Sequence, residues 1–107
     1  MFHELNVDER WLKYILNGRK TIEGRLNKNK FRFIRIGDMI TFNEIIKKEV
    51  ISVKYYNSFE NYLINEGIDK CLPDVVDIND GINIYREFYS IEDEIKYGIV
   101  AIELTDY

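Results

Sequence analysis

The helix-like and strand-like segments of this 107-residue chain do not alternate strictly. Strand patterns, rich in β-branched and aromatic residues, occur at Phe2 to Val7, Lys20 to Leu26, Met39 to Phe42, Glu49 to Tyr55 and Tyr97 to Thr105. One short amphipathic helix is expected after Asp8, where Trp11, Leu12, Ile15 and Leu16 form an apolar stripe ended by Asn17-Gly18. The remaining helix patterns cluster between the fourth and fifth strands. Ser58 caps one that carries Phe59, Tyr62 and Leu63, Asp77 caps one that carries Ile78, Ile82, Tyr85 and Tyr89, and Ser90 restarts a short turn. A doubly wound parallel sheet requires regular βαβ alternation. This order instead predicts an α+β, mainly β fold: a small, mostly antiparallel, partly closed barrel with short helices at its rim. With one Pro, no Gly/Ser linker and no repeat, residues 1–107 read as one domain.

Several function classes drop out on composition. Aromatics make up 14% of the chain, which supports a packed core rather than disorder. No apolar run approaches the ~18 residues of a membrane span, and the charged N-terminal stretch does not read as a secretory signal. One Cys and one His cannot build a zinc cage, so neither metal nor cofactor is expected, and a reducing cytoplasm fits the single thiol. His3 has no Ser, Cys or Asp partner in a motif, and Cys71 in its apolar stretch reads as a small buried hydrophobe.

Net charge is −4, an average that conceals a strong polarity. Lys13, Arg19, Lys20, Arg25, Lys28, Lys30, Arg32 and Arg35 face only Glu23 within residues 13–35, so that segment carries +7. A local cationic potential of this kind is what phosphate contacts require. The alternative is a solvated face whose cations pair with the acidic remainder of the chain. Within the segment, Lys20 can hold a phosphate as a point charge, Arg25 can grip one bidentately or stack on a base, and Glu23 can orient either cation. The same three residues could equally form an internal ion pair that closes the barrel mouth. Tyr55, Tyr56, Phe59, Tyr85 and Tyr89 are candidate stacking surfaces for unpaired bases, but helical spacing favours core packing for Phe59, Tyr85 and Tyr89, as it does for Trp11, which leaves Tyr56 as the least constrained surface contact.

The motif Trp11-x3-Ile15-x2-Gly18-x-Lys20-Thr21-x-Glu23-x-Arg25 is followed by Ile36-Gly37-Asp38-x-Ile40-x-Phe42-Asn43 and ends in Tyr97-Gly98-Ile99-Val100-Ala101-Ile102. This ordered series resembles the ASCH domain over nearly the whole chain. The resemblance implies a PUA-like β-barrel with helices flanking a cleft, a wall of that cleft built by Lys20, Glu23 and Arg25, and an RNA-related role. The expected ligand is single-stranded RNA or a modified nucleotide. The nucleic-acid-binding candidates are Lys20, Glu23, Arg25, Arg19, Lys28, Lys30, Asn43 and Tyr56, with Asn43 equally readable as a turn residue. Two enzymatic alternatives come with the family, and Lys20 and Glu23 would be their catalytic candidates. One is a metal-independent ribonuclease. The other is a nucleoside amidohydrolase of the acetylcytidine type, whose Thr three residues after the Lys is Glu23 here. A protein-interaction adaptor using the acidic C-terminal half is the third class.

Overall fold

The computed structural model describes residues 1–105; positions 106 and 107 of the expected domain lie outside the described residues. The elements run β1 (Phe2–Leu5), α1 (Glu9–Leu16), β2 (Ile22–Leu26), a 3-10 turn (Asn29–Phe33), β3 (Met39–Phe42), β4 (Ile46–Tyr56), α2 (Phe59–Glu66), α3 (Ile68–Cys71), α4 (Ile78–Arg86), α5 (Ile91–Tyr97) and β5 (Ile99–Leu104). Of the cap positions read from the sequence, three act through their side chains and Asp8 does not. Ser58, Asp77 and Ser90 each accept a backbone N–H from the first turn of α2, α4 and α5. Asp8 precedes α1 without a side-chain cap.

The five strands form one curled sheet in the order β1-β3-β4-β5-β2. Three pairings are antiparallel, whereas β1 runs parallel to β3. The sequence gives no sign of that parallel pair. It is possible because α1 and β2 lie between the two strands, the long crossover that a parallel pairing needs. β4 is the backbone of the curl. Its first part pairs β3, its second part pairs β5, and the register shifts between Val50 and Ser52. A bulge of this kind bends a strand and increases its twist, which rolls the sheet into a half-barrel.

The two faces of the sheet carry separate apolar clusters. Leu5, Ile15, Ile34, Ile40, Phe42 and Val50 meet Val100, Ile102 and Leu104 on one side. Ile22, Leu26, Ile99 and Ala101 meet Phe59, Tyr62, Leu63 and Tyr85 on the other, under α2 and α4. β5 is therefore buried on both faces, which explains why its alternating positions are apolar in both registers. Arg86 of α4 pairs at 2.7 Å with the buried Glu94 of α5, whose carboxylate also accepts the Phe59 N–H at 2.7 Å. That contact locks three helices together. Among the described residues, no helix is long and apolar enough to cross a membrane.

The open side of the half-barrel is bridged by side chains rather than by a main-chain ladder. Arg25 donates to Asn6 O at 2.8 Å and Lys30 to Glu4 O at 2.7 Å. Asn43 accepts Val7 N–H at 2.7 Å and donates to Val7 O at 2.8 Å. Asn43 and Glu44 have φ of 53° and 61°, the paired left-handed conformation of a tight turn between β3 and β4. Farther along β1, the Asp38 carboxylate collects His3 Nε2 at 2.8 Å, the Arg35 N–H at 2.9 Å and the Met1 amino group at 3.1 Å. The His3 bond and the Arg35 amide hold the Asp38 carboxyl at about 2, against an ordinary 3.8. A carboxyl depressed on folding adds stability above its unfolded value and loses it as pH falls toward the folded one. Urea midpoints between about pH 4 and pH 2 should therefore fall less steeply in Asp38→Asn than in the wild type. Parallel curves would show that Asp38 does not anchor β1.

Candidate functional site

Lys20 sits between α1 and β2, where the chain reverses after Gly18, and its N–H donates to Tyr14 O at 2.9 Å. It precedes the regular strand, so its side chain is free to turn to the same side as Glu23. Its ammonium reaches Cys71 O at 2.5 Å, Ile22 O at 2.6 Å and Glu23 Oε1 at 3.2 Å. The other Glu23 oxygen accepts Arg25 Nε at 2.6 Å. The three charged residues of the motif thus form one chain, ammonium to carboxylate to guanidinium. Burial alone would raise the Glu23 carboxyl, but the Lys20 and Arg25 charges outweigh it and hold the group below its ordinary value. Burial alone would lower Arg25, and Glu23 more than reverses that.

This ion chain forms the floor of a cavity of about 250 Å³ between β2, the β1–α1 loop and α4. Aromatic rings build the walls: Trp11 from α1, Tyr85 from α4, and Phe88 and Tyr89 just beyond α4. Phe59 buttresses two of them from behind, stacked 4.5 Å from Tyr85 and 5.6 Å from Tyr89. Asn6 and Asp8 stand exposed among the lining residues, and Phe88 is 63% exposed. The charged lining residues are Asp8, Lys20, Glu23 and Arg25, two of each sign. The cavity is therefore an aromatic slot whose floor holds two cations on one carboxylate, with Asp8 exposed among the lining residues.

Lys20 is only 2% exposed, and its three donors all have acceptors. Its geometry is that of a floor-forming cation, not of an ammonium open to a phosphate. Arg25 keeps 17% of its side-chain surface, and burial raises the nearby Tyr89 hydroxyl while the guanidinium opposes it. The other sequence candidates lie outside the cavity lining. Arg19 stacks 4.9 Å from the Tyr14 ring and pairs with Asp74 at 2.8 Å. Lys30 and Asn43 serve the β1 seam. Lys28 lies over the Tyr97 ring at 5.1 Å, and Tyr56 donates its hydroxyl to Glu66.

The sequence reading missed the double role of Tyr85 and Tyr89, which satisfy the core stripe of α4 and line the cavity as well. It also missed Phe88 and Asn6. The one available signal was Phe88, a large aromatic off the apolar stripe of its helix. Burial raises the Cys71 thiol to about 11, which makes it a poor nucleophile. Among the described residues, no cluster of His, Cys, Asp and Glu side chains could hold a metal ion.

The comparisons with known proteins agree with this architecture. A family profile described as the ASCH domain matches residues 5–107. The crystal structure of the hypothetical protein PH0355 is 43% identical, covers 97% of each chain and superposes with a TM-score of 0.95. The solution NMR structure of protein PF0455 from Pyrococcus furiosus is 44% identical over 97% of this chain and 96% of that one, with a TM-score of 0.84. No curated protein matches. With the Lys20-Glu23-Arg25 signature at the floor of a cleft in a half-barrel and the profile spanning nearly the whole chain, this protein belongs to the ASCH domain family, which points in general terms to RNA binding.

Proposed function

We propose that the domain binds a single nucleobase with its sugar, presented by single-stranded RNA or as a modified nucleoside, in the cavity between Trp11, Tyr85 and Tyr89. The observation that carries this reading is the pairing of aromatic walls with a polar floor whose ions already engage one another, in a space of about 250 Å³. RNA recognition commonly captures splayed bases between aromatic or guanidinium planes and reads their edges by hydrogen bonds. Here the rings supply the planes, and Asn6, Glu23 and Arg25 supply edge contacts. The Lys20 ammonium is closed off by its acceptors and Arg25 is engaged by Glu23 and Asn6 O, which favours a neutral heterocycle over a phosphate at this depth, so any phosphate would remain at the mouth beside Phe88.

The floor supports binding more directly than catalysis. Glu23 is held ionised between two cations, which makes it a weak proton acceptor, and Thr21 is not among the cavity residues.

Calorimetric titration with a panel of plain and modified ribonucleosides tests the proposal. Saturable binding is expected, with little dependence on salt. Phe88→Ala and Tyr89→Ala should each weaken it by about 1–3 kcal/mol, the value of one stacked base. Mass spectrometry of the same mixtures after incubation reads any conversion of the nucleoside. Absence of binding across the panel, or full affinity in both variants, would remove the cavity from consideration.

A further inference from the structure

A second groove lies beyond the end of β2, where Asn27, Tyr55, Asn57 and the Ile95–Gly98 segment meet. Its volume is about 570 Å³, and none of its lining residues is acidic, although the chain carries 19 Asp and Glu and a net charge of −4. Tyr55 is 58% exposed near the end of β4. Tyr97 has two ammonium groups over its ring, Lys28 and Lys96, each 5.1 Å from the centroid. Asn27 and Asn57 add amide groups at the margin.

An exposed tyrosine, a half-buried one, paired lysines and amides, with no carboxylate in the lining, are the components that sequence-tolerant single-strand sites combine, with bases on the rings and phosphates on the cations. The groove also lies in line with the cavity. Glu23 and Arg25 of the cavity and Asn27 of the groove share one side of β2 and its extension, because alternate residues of a strand face the same way. The Asn27 N–H still bonds to Gly98 O at 2.9 Å, so the β2–β5 ladder continues to that point. Two strand residues span about 7 Å, which sets the separation of Arg25 and Asn27 along the backbone.

We propose that this groove is a second RNA subsite, which takes the nucleotides flanking the one held in the cavity. Tyr55 and Tyr97 stack the bases, and Lys28 and Lys96 bind the phosphates. The inference rests on the cavity reading and deepens it. The cavity selects one nucleoside, and the groove supplies the sequence-independent and salt-dependent part of the affinity. It also assigns a task to Lys28 and Tyr55, which the cavity does not use.

Fluorescence anisotropy with a labelled random-sequence octaribonucleotide, alongside calorimetry with the best free nucleoside, tests both parts. The wild type should bind the octamer more tightly than the nucleoside. The Lys28→Ala/Lys96→Ala double variant should lose about 1.4 from the slope of log affinity against log salt, as expected for two single-strand phosphate contacts. Tyr55→Ala, at an exposed position, should weaken octamer binding about tenfold, within the range for one stacked base. Both variants should hold the nucleoside as the wild type does. Amide shifts on octamer addition should include Asn27, Tyr55 and residues 96–98. Unchanged octamer affinity and salt slope in the groove variants, or shifts confined to the cavity, overturn the second subsite and leave the cavity reading standing. A wild type that binds the octamer but no nucleoside, with losses only in the groove variants, overturns the cavity reading and keeps the groove as a strand contact. A wild type that binds neither ends both.

Discussion

Glu23→Ala should destabilise the domain by about 3–5 kcal/mol, the penalty for breaking a buried ion pair from one side. The magnitude follows from what remains. Lys20 is 2% exposed and Arg25 retains 17% of its side-chain surface, so two cations would stand close together in a poorly solvated place without their shared carboxylate. Lys20 keeps two carbonyl acceptors, Ile22 O and Cys71 O, which soften the loss without supplying a counter-charge. Urea denaturation at neutral pH measures the effect. A loss below about 1 kcal/mol would mean that the ion chain is solvated like a surface pair. The wild-type contribution should also depend on acid, since Glu23 is depressed on folding: present above the ordinary carboxylate range, it fades as pH falls through the folded value. Replacing all three charges at once, as Lys20→Met/Glu23→Leu/Arg25→Met, should restore much of the stability, because a well-packed apolar substitute avoids the desolvation of ions. That triple variant should still fail to bind nucleosides. Stability recovered without binding would separate the two roles of the floor.

The parts of the fold that local chemistry dictates were legible in the sequence. Ser58 and Asp77 announced two helices, and Ser90 a short turn that is in fact the seven-residue α5, because a capping side chain acts on amides two or three residues away. The β5 strand was legible because both of its faces are apolar. The parallel β1–β3 pair was not, since strand direction depends on where the intervening segments travel, and Phe2–Leu5 looks the same in either sense. The Lys20-Glu23-Arg25 signature marked the right floor, but not which donors stayed open. The ammonium is closed off by carbonyls of Ile22 and Cys71, and Cys71 is a partner 51 residues away. The +7 segment gave a true composition and a misleading surface. It passes through a helix end, a strand and a 3-10 turn, so its cations separate: Arg19 to Asp74, Lys30 to the β1 seam, Lys28 to Tyr97. Tyr85 and Tyr89 were hidden for a different reason. A ring that packs on Phe59 with one face and lines a cavity has the spacing of any core residue.

Gly24→Ala sets two effects of opposite sign against each other at the back of the cavity. Gly in a strand interior is destabilising by roughly 0.5–1 kcal/mol relative to Ala, so at an open position the substitution would help. Here a Cβ would stand 2.4 Å from Tyr62 Cζ and 2.5 Å from its hydroxyl. Tyr62 is fully buried, edge-on to Phe59 and Tyr85, with its hydroxyl 3.0 Å from that of Tyr85. The ring has nowhere to withdraw without moving the wall. Overpacking costs of about 1–3 kcal/mol or more should therefore outweigh the backbone gain, and thermal denaturation should show a lower midpoint. Because Tyr62 supports Tyr85, the same variant should bind nucleosides more weakly even at temperatures where it is fully folded. Tyr62→Leu removes the obstructing ring at a large cost of its own. In the Gly24→Ala/Tyr62→Leu double variant the two losses should be less than additive, since the clash no longer exists. Strict additivity, or a stabilised Gly24→Ala single variant, would mean that β2 shifts freely beneath α2. In that case the close approach of strand and ring would not fix the position of the cavity wall.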